Sequence, residues 1–407
     1  MTITVLARAV VYTQDMPLSI PAVQRALTED GLDGWLLYDF HGSNPIARRL
    51  TGLDRAPKMT TRRWFYVIPA KGEPKKLVHA IESYNLDHLP GGKTVYSQRE
   101  KLNEGLRTVL GGLKRVAMEY SPGNAIPYVS RVDAGTVESV RQLGIDVASS
   151  GDLVQRFEAI WSDEALKTHR AASERLYRVK DRAFEMMRAA RKSGRRLSEI
   201  DVQRAMTGWL AEEGLISDSP PVVAAQENAG NPHYMPTDEK HRAIGENEVV
   251  LLDLWGKLDT PGAVFADITW VGFTGATVPE RVAQAFAAAR DGRDAAIALV
   301  KDAAANGRAL RGFEVDRACR TVIDRTGLGE YFIHRTGHSL GTEVHGNGVH
   351  MDDFETHDER RLIPGTGFTI EPGVYTKDFG VRTEINMFVG EREATVTGPL
   401  QTDFVLL

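Results

Sequence analysis

The chain has 407 residues, a formal net charge of −5 and a single cysteine, Cys319. A single cysteine excludes an internal disulfide and a cysteine-rich metal site. The charge gives no reason to expect nucleic acid or an acidic membrane surface as a partner. No apolar run approaches the ~18–20 residues that span a bilayer, and residues 1–16 lack the basic start of a signal peptide. We therefore expect a cytoplasmic protein, long enough for two domains.

The first part of the chain alternates strand-like and helix-like segments. Residues 34–38, 63–68, 76–78 and 115–119 have the apolar composition of buried strands, and residues 134–143 have a helical pattern. This alternation predicts an α/β domain, which we place at residues 1–158.

The spacing of apolar residues changes at Ser162, where a long helical pattern begins and runs to about residue 190. This helix marks a second domain, at residues 159–407. An ungapped shift of 113 residues within this domain aligns residues 194–197 with 307–310, and Gly214 with Gly327. The shift predicts a duplication, with two similar halves that face each other across a cleft.

Four carboxylates interrupt apolar, strand-like sequence after the two repeats. They are Asp253 in residues 249–255, Asp267 in 264–271, Glu371 in 368–373 and Glu384 in 381–385. A buried, unpaired carboxylate is costly, so four of them require cations or hydrogen-bond donors. Each also has an ordinary interpretation, such as an edge position for Asp253, a turn for Glu371, or a surface ion pair between Glu384 and Arg382.

Histidines supply the complementary donors. Four of the eleven, His334, His338, His345 and His350, fall within 17 residues. Carboxylates with one imidazole favour Mn²⁺, Co²⁺ or Zn²⁺. Four carboxylates and one histidine exceed one ordinary zinc site and match two divalent ions about 3.5–4 Å apart.

These residues resemble the M24 metallopeptidases of pita-bread fold, the group that contains Xaa-Pro aminopeptidase, prolidase and creatinase. Residues 44–52 resemble the N-terminal creatinase-type domain. The resemblance implies an α/β N-terminal domain followed by an α+β pita-bread catalytic domain with an internal pseudo-two-fold repeat. It also implies five metal ligands in chain order: Asp253, Asp267, His338, Glu371 and Glu384.

The resemblance assigns roles to these ligands and to their neighbours. Asp267 and Glu384 would bind both ions, Asp253 would chelate one, and His338 and Glu371 would bind the other. Glu371 would also accept and donate the proton. Three histidines would serve the substrate: His345 would contact the scissile carbonyl region, His233 would line the substrate pocket and His334 would order that pocket. Arg382 would orient the site or meet a substrate carboxylate.

Three departures from the family pattern bear on the specificity pocket. The two aspartates are 14 positions apart, more than in many relatives, which predicts a longer hairpin at residues 257–262. Trp270 stands where relatives often have arginine. Gly346 follows His345 where relatives frequently have an acidic residue.

The function implied is hydrolysis of Xaa-Pro bonds in dipeptides or short peptides by a hydroxide that bridges two divalent ions. We expect these ions to be Mn²⁺, with Co²⁺ or Zn²⁺ as alternatives. The resemblance leaves prolidase and aminopeptidase P activity both open, together with a carboxyl-end or broader specificity. A creatinase-like, metal-independent amidinohydrolase and a catalytically silent binding module are the rival interpretations. The resemblance also implies a homodimer.

Overall fold

The computed structural model describes residues 18–55 and 59–407. The described residues form two compact units, and the boundary between the units lies between Ile160 and Trp161. Neither unit contains, within the described residues, a helix long and apolar enough to cross a membrane.

The N-terminal unit is an α/β unit built on one mixed sheet. Its helices are α1 Ile20–Glu29, α2 Pro45–Thr51, α3 Arg99–Leu110, α4 Ala134–Arg141 and α5 Gly151–Val154. Its strands are β1 Gly34–Asp39, β2 Trp64–Pro69, β3 Lys75–His79, β4 Gly92–Tyr96, β5 Arg115–Met118 and β6 Asp146–Ser149. The strand order is β4-β3-β2-β1-β5-β6.

Both faces of this sheet are covered, as the continuous apolar runs predict. Successive side chains of a strand point to opposite faces. Trp35 and Leu37 accordingly pack in one apolar cluster, while Leu36 and Tyr38 pack in another. Residues 44–52 form α2 with its cap, because the Asn44 side chain accepts a hydrogen bond from the Ala47 N–H at the start of the helix.

The second unit contains four helices and three groups of strands. Its helices are α6 Asp163–Lys192, α7 Glu199–Glu212, α8 Glu280–Ala305 and α9 Gly312–Arg325. The first group of strands is β7 Leu215–Ile216, β8 Val222–Ala225, β9 Val249–Leu258, β10 Ala266–Phe273 and β17 Val405–Leu406. The second group is β11 Ser339–Leu340, β12 Thr366–Ile370, β15 Ile385–Val389 and β16 Ala394–Val396, and the third is the hairpin of β13 Gly373–Tyr375 with β14 Gly380–Arg382.

The duplication predicted from the sequence is visible in the helices. Both bounds of α7, shifted by 113 residues, give the bounds of α9, and the same shift carries the end of α6 onto the end of α8. The glycines that follow α6 and α8, Gly194 and Gly307, both adopt left-handed backbone with φ of 72° and 62°. This conformation ends a helix at little cost only in glycine. The two copies therefore stop their long helices in the same way.

The helices of the two copies belong to two apolar clusters. Residues of α6 and α7 share one with β8, β9 and β10, whereas residues of α8 and α9 share the other with β12 to β15 and with further residues of β8, β9 and β10. The strands of the two copies bring the four acidic positions of the sequence towards one region of the unit.

Two of the predicted strands are interrupted where their glutamates lie. Residues 368–373 and 381–385 are not continuous strands, since Glu371 and Pro372 separate β12 from β13, and Thr383 and Glu384 separate β14 from β15. At Pro372 the backbone has no N–H to donate to a ladder. At Glu384 the backbone N–H donates to the Thr269 carbonyl of β10 instead, at 3.1 Å. The prediction of four carboxylates within strands was therefore wrong for both glutamates.

Candidate metal centre

The antiparallel pair of β9 and β10 places two aspartates on one face of its sheet. Thr269 pairs with Asp253, and Asp267 pairs with Trp255. Directly paired residues project to the same side, as do residues two apart. Asp253 and Asp267 therefore share a face, with Thr269 and Trp255 beside them.

The second copy supplies the other predicted ligands. His338 immediately precedes β11, and its backbone N–H donates to the Thr369 hydroxyl at 2.9 Å. Glu371 and Glu384 lie at the two strand interruptions. Ligand atoms of Asp267, His338 and Glu384 all lie within 4.8 Å of one another, and all three side chains are buried.

Glu371 joins this group through His338. The Nε2 atom of His338 lies 3.5 Å from Glu371 Oε1 and 3.6 Å from Asp267 Oδ2. The Nδ1–H of His338 donates to the Ser339 carbonyl at 3.1 Å, since a carbonyl can only accept. Burial lowers the pKa of His338, so the ring is neutral and Nε2 carries a lone pair. A lone pair aimed at two carboxylates is the arrangement of a metal ligand.

Two carboxylate oxygens reinforce this interpretation. Asp267 Oδ1 and Glu384 Oε1 are buried and accept no hydrogen bond within the described residues. Burial raises the pKa of Asp267 well above its ordinary value, and the charge of Glu371 adds to the effect. Burial likewise raises the pKa of Glu384, followed by the charge of Asp267. The residues present therefore fit a divalent cation, which would supply the partner that these oxygens lack.

Asp253 faces the same region but is bound by a side chain of the protein. It forms an ion pair with Arg382 Nη2. Burial raises the pKa of Asp253 to about 6, against the lowering effect of Arg382. The structure thus brings Asp267, His338, Glu371 and Glu384 together directly, while Asp253 is linked to them through Arg382.

Arg382 is the centre of a hydrogen-bond network that the sequence did not reveal. Its Nε donates to the Thr269 hydroxyl at 2.9 Å, and Thr269 in turn donates to Glu384 Oε2 at 2.7 Å. Its Nη1 donates to the Tyr375 hydroxyl at 3.0 Å. Every nitrogen of the guanidinium thus has a protein partner, which favours the orienting role over contact with a substrate carboxylate.

His334 continues the same network. Its Nδ1–H donates to the Arg335 carbonyl at 2.7 Å, so Nε2 accepts from the Tyr375 hydroxyl at 2.8 Å. Burial, then the nearby Arg382 charge, lowers the pKa of His334 to about 3. His334 is therefore neutral and contacts Tyr375 rather than the predicted ligands.

His345 and His233, to which the resemblance also assigned roles, are both exposed. The His345 ring makes an edge contact with the His338 ring, with centroids 4.3 Å apart. The neighbouring His338 ring, then burial, lowers the pKa of His345 to about 3. His233 is exposed, and its backbone N–H donates to Asn231 Oδ1 at 3.0 Å. Neither side chain is among the grouped ligand atoms.

Two further residues that the sequence argument did not single out hold the ligands in place. Asn386 forms a reciprocal pair with the backbone of Asp267, accepting from its N–H at 2.9 Å and donating to its carbonyl at 2.6 Å. The Thr369 hydroxyl donates to Glu371 Oε1 at 3.0 Å. Both residues are polar and lie within strands of apolar sequence, and this contrast could have marked them as site residues in the sequence.

The departures from the family pattern have local explanations. Trp270 follows Thr269 and projects to the opposite sheet face, where Lys180 Nζ of α6 lies 3.8 Å from its ring centroid. The Trp270 side chain therefore lies on the sheet face opposite Asp253 and Asp267. A Cβ at Gly346 would lie 3.0 Å from Ser339 Oγ and 3.1 Å from the Leu340 carbonyl carbon, so a side chain there would require β11 to shift slightly. The longer hairpin is the connection at residues 259–265.

A family model and the similar proteins of known sequence point to the same family of peptidases. The model of metallopeptidase family M24 matches residues 167–391. A probable dipeptidase, PepE, of Mycobacterium tuberculosis is 26% identical over 250 residues, which is 61% of this chain and 61% of the relative. An Xaa-Pro dipeptidase of Lactobacillus delbrueckii subsp. lactis is 35% identical over 164 residues, 40% of each chain. The chain thus spans about six tenths or less of these relatives' length.

The fold matches over almost the whole length. The crystal structure of dipeptidase PepE from Mycobacterium ulcerans superposes with a TM-score of 0.69 at 22% identity, and covers 95% of this chain and 96% of the other. A prolidase from Thermococcus sibiricus superposes with a TM-score of 0.61 at 21% identity, covering 95% and 98%. These matches confirm the predicted fold class, an α/β unit followed by a pita-bread unit.

Proposed function

Because the chain belongs to the M24 metallopeptidase family, we propose that it is a dinuclear-metal exopeptidase that hydrolyses Xaa-Pro bonds in dipeptides or short peptides. The observation that carries the proposal is the convergence of Asp267, His338 and Glu384, with ligand atoms within 4.8 Å of one another. Two buried carboxylate oxygens in this group have no donor among the described residues.

The five predicted ligands would hold the ions. Asp267 and Glu384 are the best candidates to bridge the ions. Asp267 has Oδ2 close to His338 Nε2 and Oδ1 without a donor, and Glu384 has Oε2 bound by Thr269 and Oε1 without a donor. When bound, divalent ions lower the pKa of a water molecule and polarise a carbonyl. Asp253, held by Arg382 on the same sheet face, would complete the set.

The remaining steps fall to side chains of the chain itself. Glu371 is held by the Thr369 hydroxyl and is partly exposed, with 16% of its side chain accessible. It can therefore accept a proton from water and deliver it to the leaving amine. His345 and His233, which are exposed, would contact the peptide near the scissile carbonyl. Arg382, Tyr375 and His334 would orient Asp253 and Glu384.

A preference for proline has a physical basis. The Xaa-Pro bond is a tertiary amide without an N–H, so a peptidase acting on it cannot rely on that donor. Relatives bear the names Xaa-Pro dipeptidase and Xaa-Pro aminopeptidase, which supports both activities as candidates for this chain. We further propose Mn²⁺ as the native metal, a homodimer as the functional state and the cytoplasm as its location.

The test is a substrate panel. The purified protein is assayed with Mn²⁺, Co²⁺ or Zn²⁺ against Xaa-Pro dipeptides, Xaa-Pro-Yaa tripeptides and matched peptides without proline. Cleavage of dipeptides alone indicates prolidase, and release of the first residue from tripeptides indicates aminopeptidase P. Hydrolysis that persists unchanged after removal of all divalent ions would instead favour a creatinase-like reaction.

A further inference from the structure

An irregular sheet edge lies beside the candidate centre. Strand β7 pairs with β9 through Leu215 with Leu258 and Ile216 with Lys257, and pairing resumes in β8 at Val222 with Asp253. Residues 217–221 therefore stand opposite residues 254–256 only, and the extra residues leave the ladder as a bulge. Bulges beside functional sites re-aim side chains.

The side chain re-aimed by this bulge is Asp218. The indole Nε1–H of Trp255 donates to Asp218 Oδ1 at 2.6 Å. Trp255 is paired directly opposite Asp267 and rises from the same sheet face. Its indole can donate but carries no charge, so it orients the Asp218 carboxylate without neutralising it.

Asp218 remains available to a ligand. The residue is exposed, and within the described residues its second oxygen accepts no hydrogen bond and no basic side chain forms an ion pair with it. Its position near the centre follows from its bond to Trp255, the residue paired directly with Asp267. A solvated, oriented carboxylate thus lies beside the predicted ligands.

We propose that Asp218 binds the protonated amino terminus of the substrate and so selects peptides by their free amino end. The inference deepens the proposed function and rests on it. An exopeptidase that cleaves next to the amino end must recognise an ammonium group, which is a compact cation with three donors. Asp253 is a poor candidate for this contact because Arg382 already pairs with it. Asp218 has the charge and the exposure that the contact requires, and the Trp255 indole orients its carboxylate.

The experiment compares Ala-Pro with propionyl-proline, which has the same shape without the amine. In the wild type, Ala-Pro is the better substrate. Asp218→Asn lowers kcat/KM for Ala-Pro by about 10- to 100-fold, mainly through KM, because a charge-assisted hydrogen bond is lost. The same substitution leaves kcat/KM for propionyl-proline within about twofold of the wild-type value, because this compound has no ammonium group to contact Asp218. Trp255→Phe, which removes the orienting N–H, gives a smaller loss of the same selectivity.

Asp259→Asn is the matched control. Asp259 is another exposed acid on the adjacent hairpin, without a bond to Trp255. We expect Asp259→Asn to leave kcat/KM unchanged for both substrates. Titration calorimetry measures the affinity of the two compounds for metal-free wild type and metal-free Asp218→Asn. It detects the same contact without hydrolysis. Weaker binding of Ala-Pro alone supports the proposal; equal affinities of the two proteins for Ala-Pro overturn it. Absence of hydrolysis by the wild type in all three metals would count against the peptidase function only.

Discussion

Glu119 in the N-terminal unit and Asp267 in the second unit are both buried carboxylates, and they differ in what surrounds their oxygens. Glu119 Oε1 accepts from Trp35 Nε1 at 2.7 Å and from Ser150 Oγ at 3.0 Å, and Oε2 accepts from Asn44 Nδ2 at 2.7 Å. Both its oxygens are thus satisfied by neutral donors. Asp267, by contrast, keeps one buried oxygen without a donor in the described part of the chain.

The difference separates a structural carboxylate from a ligand. Glu119 joins β5 to β1 and to the start of α2, and it requires nothing beyond the protein. Burial and then the charge of Glu371 raise the pKa of Asp267, while burial and then the charge of Asp267 raise the pKa of Glu384. Burial alone therefore does not identify a functional acid, whereas burial with an unsatisfied oxygen next to a second such group does.

The largest expected effect separates the two acids directly. If Asp267 binds the metal as proposed, Asp267→Asn lowers the proposed peptidase activity at least about 1000-fold, because a catalytic metal supplies several kcal/mol of transition-state stabilisation. Metal content falls with it, measured by inductively coupled plasma spectrometry. Glu119→Gln, the matched control, destabilises the N-terminal unit but retains the metal. Full metal content in Asp267→Asn would refute the assignment.

A second prediction uses pH. Burial raises the pKa of Glu119 to about 7, so between about pH 4.5 and 7 the folded state binds more protons than the unfolded state. The free energy of unfolding therefore falls as pH rises through this window, by about 3 kcal/mol. Asp267 and Glu384 contribute a fall of the same sign in metal-free protein, which a bound cation abolishes.

Urea unfolding at pH 5 and pH 7.5, with and without Mn²⁺, resolves the two contributions. With saturating Mn²⁺ the wild type keeps the slope due to Glu119, and Glu119→Gln loses it. If Glu119→Gln with Mn²⁺ showed the wild-type slope, the carboxylate responsible would lie elsewhere.

The smallest of the three effects concerns Thr269. Thr269→Val removes the hydroxyl between Arg382 and Glu384, so the ligand is held less firmly and affinity for Mn²⁺ falls about 10- to 100-fold. Titration calorimetry gives the dissociation constant. The control is Thr51→Val in α2, whose hydroxyl donates only to the helix backbone. The same dissociation constant in Thr269→Val and wild type would show that Thr269 does not position the ligand.

Much of the fold was predictable from local pattern. The apolar runs at residues 34–38 and 249–255 predicted β1 and most of β9. The 113-residue shift predicted two copies whose second helices have corresponding bounds. These features depend on short-range periodicity and on glycine, which the sequence displays directly.

The site was only partly predictable because its details depend on contacts distant in sequence. Glu384 could not be placed at a strand interruption from its own segment, since the N–H that leaves the ladder donates to Thr269, 115 residues earlier. The placement of Trp270 depends on strand alternation counted from Asp267, which the sequence did contain. The engagement of Asp253 by Arg382 joins positions 129 apart and could not have been inferred.

The duplicated helices have a thermodynamic consequence. Asp267 belongs to the first copy, while His338 and Glu384 belong to the second, so a cation held by all three is a noncovalent cross-link between the copies. Such a ligand stabilises the folded state by about 2.7 kcal/mol when its concentration is 100 times its dissociation constant. Chelation should consequently weaken the junction of the copies more than the interior of either one, and a fragment with a single copy would lack the full donor set.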